Sequence, residues 1–207
     1  MLLFILTFLK FKLVIISNIE KFIRRTKDLP SDLLLAEALN FLEKRNFTLV
    51  LGCGGMRDTK FLAKNFEKVI AVDKTDLENL PSISDFPNIN LVQCKFEEFE
   101  FAQYIFDIIN ARFSLPFVPP ANFDIVWKSL TNSLTQNGLF VGQFFGMEDE
   151  WNKSNSDKSF HSKIQIEKLM SCQNTKILKL DEIKKIGLVN ITEPKFWHYY
   201  NIVAQKQ

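Results

Sequence analysis

Two histidines, three cysteines, and only seven glycines and seven prolines in 207 residues rule out several kinds of protein at once. Cys53, Cys94 and Cys172 are odd in number and widely spaced, with no CxxC pair and no Cys/His cluster. That pattern argues against a disulfide framework and against a zinc site, so a reducing, cytoplasmic setting and no metal are expected. His161 and His198 are the only imidazoles, so general bases are scarce. Charge of either sign is not in excess: 26 basic and 24 acidic residues leave +2, which gives no electrostatic case for a nucleic-acid partner. No uninterrupted apolar run reaches the roughly 20 residues of a membrane-spanning helix. The nearest is Met1–Ile16, which Thr7, Lys10 and Lys12 interrupt. Its lysines fall inside the run and no small-residue cleavage site follows, unlike a secretory signal. Residues 1–17 therefore read as an apolar extension. It either stands outside the fold, packs on it, or touches a membrane surface, the last not being favoured.

What is present is ordinary globular material, 46% hydrophobic and 24% charged, in a length that suits one α/β domain over residues 18–207. The 21 phenylalanines, beside many Lys, Asn and Ile, are a sign of A/T-rich codons rather than of function. Ile19, Phe22 and Ile23 recur at helical spacing, and Ser31 offers an N-cap to a helix whose apolar face is Leu33, Leu34, Ala38, Leu39 and Leu42. Phe47–Leu51 is a continuous apolar run closed by glycines, the form of a buried parallel strand. Asp58 caps a helix to about Asn65. Further strands are expected at Val69–Val72, Asn90–Cys94, Phe106–Asn110 and Leu139–Phe144. A helix over Phe123–Leu134 stops at Gln136-Asn137-Gly138, another covers Ile164–Met170, and two last strands fall at Lys176–Leu180 and His198–Ala204. Such alternation predicts a doubly wound, mostly parallel sheet.

The chemistry begins at Gly52-x-Gly54-Gly55, between a strand and a helix. Residues without side chains let backbone N–H groups approach a ligand there, and the helix behind favours negative charge. Asp73 ends the next strand, where a carboxylate can accept from both hydroxyls of a ribose. A dinucleotide site needs Gly or Ala where this chain has Arg57, so NAD is disfavoured.

Val50-Leu51-Gly52-Cys53-Gly54-Gly55-Met56-Arg57-Asp58 resembles the first motif of the class I S-adenosylmethionine (SAM)-dependent methyltransferases, and Val69–Asp73 resembles their second. Phe106–Leu115 is similar to their strand-four motif, Asn137–Phe140 to the turn entering strand five, and Trp197–Lys206 to their antiparallel final strand. Arg24–Asp28, Arg57-Asp58 and Phe144-Phe145-Gly146 look most like the small-molecule and tellurite-resistance members. The resemblance implies a seven-stranded Rossmann-like methyltransferase sheet with an antiparallel last strand, and SAM as cofactor. It implies that Leu51, Gly52, Cys53, Gly54 and Gly55 hold the methionine portion, with Arg57 near its carboxylate, and that Asp73 and Lys74 lie at the ribose. Lys95 and Phe96 would grip the adenine, and Asn110 and Ala111 would lie beside the sulfonium. The chain departs from the family at Val50, where an acid is usual, at Met56 in place of a third glycine, and at Lys95 in place of an acid.

Methyl transfer is an in-line displacement that positioning alone can drive, so no dedicated catalytic side chain is singled out. Phe113, Phe117, Phe145 and Trp151 are candidate walls for a small-molecule acceptor beyond the carboxyl ends of the strands. His161, His198 and Cys53 read as structural. A non-catalytic, SAM-binding or fold-only protein is the alternative, and a membrane-associated methyltransferase a third.

Overall fold

The carboxyl ends of five parallel strands form one edge of the molecule, and the way they are reached explains what gathers there. The computed structural model describes residues 21–23, 25–76, 81–154, 157–189 and 193–207, so the extension at 1–17 lies outside it. Strands β1 (Phe47–Leu51), β2 (Lys68–Asp73), β3 (Ile89–Gln93), β4 (Phe106–Ala111), β5 (Leu134–Phe145), β6 (Thr175–Val189) and β7 (Glu193–Lys206) form one sheet in the order β3-β2-β1-β4-β5-β7-β6. β1 pairs in parallel with β2 and β4, while β7 runs antiparallel to both β5 and β6. The order reverses between β1 and β4, which opens the crevice where ligands bind in doubly wound sheets.

Helices cover both faces. α1 (Leu33–Ala38) and α2 (Arg57–Ala63) sit on one, with Leu35, Leu62, Val69 and Ile108 among their buried contacts. α3 (Pro120–Asn132) and α4 (Lys163–Cys172) sit on the other, around Trp127, Phe140 and Phe144. Trp127 is 1% exposed, and its indole N–H reaches the Leu169 carbonyl at 3.3 Å, so the largest apolar side chain of that layer leaves no buried donor unmet. Two short 3-10 turns, Phe96–Glu98 and Phe101–Gln103, stand between β3 and β4 where an alternating pattern would put a helix.

Several local expectations shift. Asp32, not Ser31, caps α1, accepting from the Leu34 N–H at 2.9 Å. Leu35 is buried in that helix while Leu33 is 78% exposed. α2 starts at Arg57 behind a left-handed Met56, and Asp58 turns back to accept from the Asp32 N–H at 2.9 Å rather than capping its own helix. α3 begins three residues earlier than Phe123 and ends at Asn132. Gln136-Asn137-Gly138 then falls inside β5, at a register jump opposite Phe106 and Ile108. β6 and β7 run far beyond their expected cores, because their outer halves pair mainly with each other and alternate polar residues on both faces.

Asp107 sits at that jump, 5% exposed. Its carboxylate accepts from the backbone N–H of Asn46 and Phe47 at 2.7 and 3.1 Å, fixing where β1 enters the sheet. Replacing Asp107 by leucine strands two backbone donors and is expected to cost about 2–4 kcal/mol in urea unfolding, with the m-value unchanged.

Candidate cofactor and acceptor site

The turn after β1 bends through three positive backbone angles: Gly52 at φ +76°, Gly54 at +43° and Met56 at +65°. Left-handed residues turn the chain sharply and aim successive N–H groups inward. The Gly52 N–H donates to the Val72 carbonyl at 2.7 Å, and the Gly54 N–H donates to Asp73 Oδ2 at 3.0 Å. Asp73 Oδ1 accepts from the Thr75 N–H at 2.9 Å, so one carboxylate ties the turn to the end of β2. A Cβ at Gly52 would lie 2.5 Å from the Ser114 Cβ and 3.6 Å from Phe96 Cζ, closer to Ser114 than real side chains come. At Gly55 a Cβ would collide with Thr26, because Thr26 and Lys27 lie across the turn.

β4 delivers the opposite wall. Val50 is level with Asn110 in the β1–β4 register. Asn110 Oδ1 and Ser114 Oγ are both buried with no hydrogen-bond partner among the described residues. Between them Phe113 holds φ +51°, an unfavourable angle for a bulky residue, and its N–H donates to Gln143 Oε1 at 2.5 Å. Gln143 Nε2 donates to Asn201 Oδ1 at 3.0 Å, which also accepts from Arg112 Nη1 at 2.8 Å. The other end of that guanidinium reaches Asp32 Oδ2 at 2.5 Å. α1, β4, β5 and β7 thus meet in one chain of hydrogen bonds. Arg57 joins its rim, 3.4 Å from Asp58 and 3.8 Å from Asp32, which is where its charge goes.

The four aromatic residues singled out as acceptor walls converge. Phe117 packs edge-on against Phe145 at 5.7 Å and Trp151 at 6.0 Å. Trp197 joins Phe145, Trp151 and Phe113 at 6.0, 5.1 and 6.3 Å. Asp149 organises this cluster. It is fully buried, accepts from the Trp151 and His198 N–H groups at 3.1 Å each, and holds Lys195, whose ammonium lies 3.8 Å from the Trp197 ring centre. Burial pulls the Lys195 pKa down while Asp149 opposes it. Asp32, Gln143, Asn201, Asp149 and Lys195 carried no signal in the sequence, since the contacts that tie each of them to this site reach across to other elements of the fold.

Comparisons with known proteins agree with this geometry. Residues 49–142 match the family model described as a methyltransferase domain. That match spans a little under half of the chain and is to the kind of domain whose motifs the sequence resembles, the class I SAM-dependent methyltransferases. SAM is the cofactor of that family. Among solved structures, YcgJ from Bacillus subtilis is 16% identical with a TM-score of 0.64, over 84% of this chain and 98% of its own. The 1,6-didemethyltoxoflavin-N1-methyltransferase of Burkholderia thailandensis, bound to 1,6-didemethyltoxoflavin and S-adenosylhomocysteine, is 16% identical with a TM-score of 0.62 over 96% and 89%. TehB from Haemophilus influenzae is 12% identical with a TM-score of 0.65, over 84% of this chain and 61% of its own. At such identities these likenesses concern the fold. No curated protein matches the sequence.

The remaining candidates divide by exposure. Leu51 and Ala111 are buried strand ends, Phe96 is half-buried against the Gly52 turn, and Lys74 is exposed. Lys95 is exposed and pairs with Glu98 at 3.8 Å. His198 is locked in place, its Nδ1 accepting from the Glu148 N–H at 3.0 Å and its Nε2 lying 3.0 Å from Glu182. Burial, reinforced by the Asp73 charge, pushes the Cys53 thiol far above its ordinary range, so it is no nucleophile. His161 packs at a tilt against Phe123 at 4.4 Å, and burial pulls its pKa down to about 4, with Asp124 opposing.

Two outcomes follow from these titrations. Alkylation of the folded protein at pH 8 is expected to label exposed Cys172 first and Cys53 last, as read by peptide mass spectrometry. The unfolded chain binds a proton on His161 below about 6.5 whereas the folded one does so only near 4. Stability is therefore lost as pH falls from about 6.5 towards 4, and His161→Phe is expected to flatten that part of the pH profile of urea unfolding.

Proposed function

We propose that this chain transfers the methyl group of SAM to a small-molecule acceptor at the crevice between β1 and β4. The observation that carries the reading is the turn that has no room for a side chain at Gly52, set beside the unpartnered Asn110 Oδ1 and Ser114 Oγ. A polar ligand that fills the cradle meets both atoms, and the methionine end of SAM, with its ammonium and carboxylate, has the groups to do so. Leu51–Gly55 hold that end, Asp73 and Lys74 lie at the ribose, Lys95 and Phe96 flank the adenine, and Asn110 and Ala111 sit by the sulfonium. Arg57 is spent on Asp32 and Asp58, so its part is to steady the rim.

SAM supplies a methyl on a positively charged sulfur. This chain's residues place that methyl against the acceptor and keep water out, with Phe113, Phe117, Phe145 and Trp151 as the acceptor wall. Their ring faces favour the sulfonium as well as a planar acceptor. The 1,6-didemethyltoxoflavin-N1-methyltransferase, of similar fold, is bound to 1,6-didemethyltoxoflavin, a small molecule, which supports a small acceptor here. The free cysteines suit a cytoplasmic setting, and no described helix is long and apolar enough to cross a membrane.

A second reading has its own support. Asp73 already accepts two backbone hydrogen bonds and Val50 offers no carboxylate, which favours a protein that keeps the fold and binds SAM weakly. Calorimetric titration with SAM separates them. Micromolar binding is expected, weakened at least roughly tenfold by Asp73→Ala. Absence of binding, restored by Val50→Asp, would establish the second.

A further inference from the structure

β4 leaves the sheet before β5 does. Its last pair on β5 is Ala111 opposite Gly142, while β5 runs on through Gln143 to Phe145 beside β7. The Phe113 N–H therefore lies past the end of the β4–β5 ladder, and it donates to a side chain, the Gln143 amide. Gln143 is fully buried in the otherwise apolar run Leu139–Phe145, where a polar group needs partners to be tolerated.

Its orientation is dictated from the far end. A guanidinium only donates, so Arg112 Nη1 requires the oxygen of Asn201 to face it. That oxygen also accepts from Gln143 Nε2, which leaves Gln143 Oε1 facing the Phe113 N–H. The relay ends on a backbone conformation. Phe113 at φ +51° lies in the region that favours glycine, and a chain released from the clamp relaxes towards negative φ. Phe113 stands between Asn110 and Ser114, whose buried side-chain oxygens have no partner among the described residues. Ser114 packs on Gly52, and its carbonyl accepts from the Phe117 N–H at 3.0 Å. One bend thus places two polar atoms at the cofactor turn and one ring of the acceptor wall.

We infer that Gln143 is a positioning residue for the cofactor, acting through the backbone of Phe113: its amide holds the left-handed bend that keeps Ser114 against the Gly52 turn and Asn110 beside it. This rests on the methyltransferase reading above.

The test separates backbone from ring. Calorimetric titration of the full chain with S-adenosylhomocysteine is expected to find Gln143→Met, which keeps the length of the side chain and removes its acceptor, about tenfold weaker than the parent protein. Adding Phe113→Gly is expected to bring affinity back to within about threefold of the parent, because glycine takes the left-handed angle without a clamp. Adding Phe113→Ala instead deletes the same ring but keeps a Cβ, and is expected to restore nothing. A purely structural loss at Gln143 has no reason to be repaired by a glycine on another loop. Urea unfolding shows which variants fold. If Gln143→Met does not, Asn201→Ala, which removes the oxygen that orients the Gln143 amide, replaces it, with the same loss and the same repair expected. A folded Gln143→Met or Asn201→Ala that binds as the parent does, a loss that Phe113→Gly leaves unrepaired, or an equal repair by Phe113→Ala would overturn the positioning role. A parent protein that does not bind S-adenosylhomocysteine takes down the methyltransferase reading itself; a parent that binds while the variants depart from this pattern takes down the role of Gln143 alone.

Discussion

The approach of Gly52 to Ser114 governs the carboxyl edge of the sheet. Bringing the loop after β4 within 2.5 Å of the space a side chain would need at Gly52 forces glycine there. It also forces the loop after β4 into a tight bend, paid for by a phenylalanine at φ +51°. A bulky residue in that region costs on the order of 1 kcal/mol or more, and it persists because its surroundings over-determine it. Here the surroundings are the fully buried Gln143, whose Oε1 accepts from the Phe113 N–H, and the Asn201 Oδ1 that holds Gln143 in place and accepts from Arg112 Nη1 as well.

A second constraint comes from charge. Arg112 is 7% exposed in its side chain, a position where an unpaired cation is not tolerated, and Asp32 answers it from the cap of α1. Because Asp32 also takes its place through a bond to Asp58, the start of α2 and the start of α1 are set by one carboxylate pair. Asp149 does similar work in the aromatic cluster, where Lys195 is surrounded by indole and phenyl rings rather than by water.

How much of this the sequence discloses depends on the range of the interaction. Phe47–Leu51, Val69–Val72 and Phe106–Asn110 declare themselves because strands buried on both faces must be apolar throughout, and the glycine turn and Asp73 because their spacing is local. Asp32 and Ser31 are indistinguishable as caps until Arg112 and Arg57 are seen beside one of them. The outer halves of β6 and β7 leave no apolar run because much of that ribbon is exposed, Ile186 at 77% among it. Phe113, Phe117, Phe145 and Trp151 were legible as aromatic residues near strand ends. That Trp197 binds them into one cluster, around a lysine, depends on an antiparallel register no local pattern encodes.

The hydrogen-bonded chain from Asp32 through Arg112 to Asn201 joins residues made early to residues made late. Asn201 belongs to β7, which leaves the ribosome after β1 to β6, and until it docks, Arg112 lacks one acceptor and Gln143 another. A nascent chain that has already made the glycine turn and β4 therefore owns Gly52, Asn110 and Ser114 without yet holding them in their final arrangement. Cofactor affinity should arrive late and in one step, and a ribosome-bound intermediate with a correct half-sheet should be blind to the nucleoside.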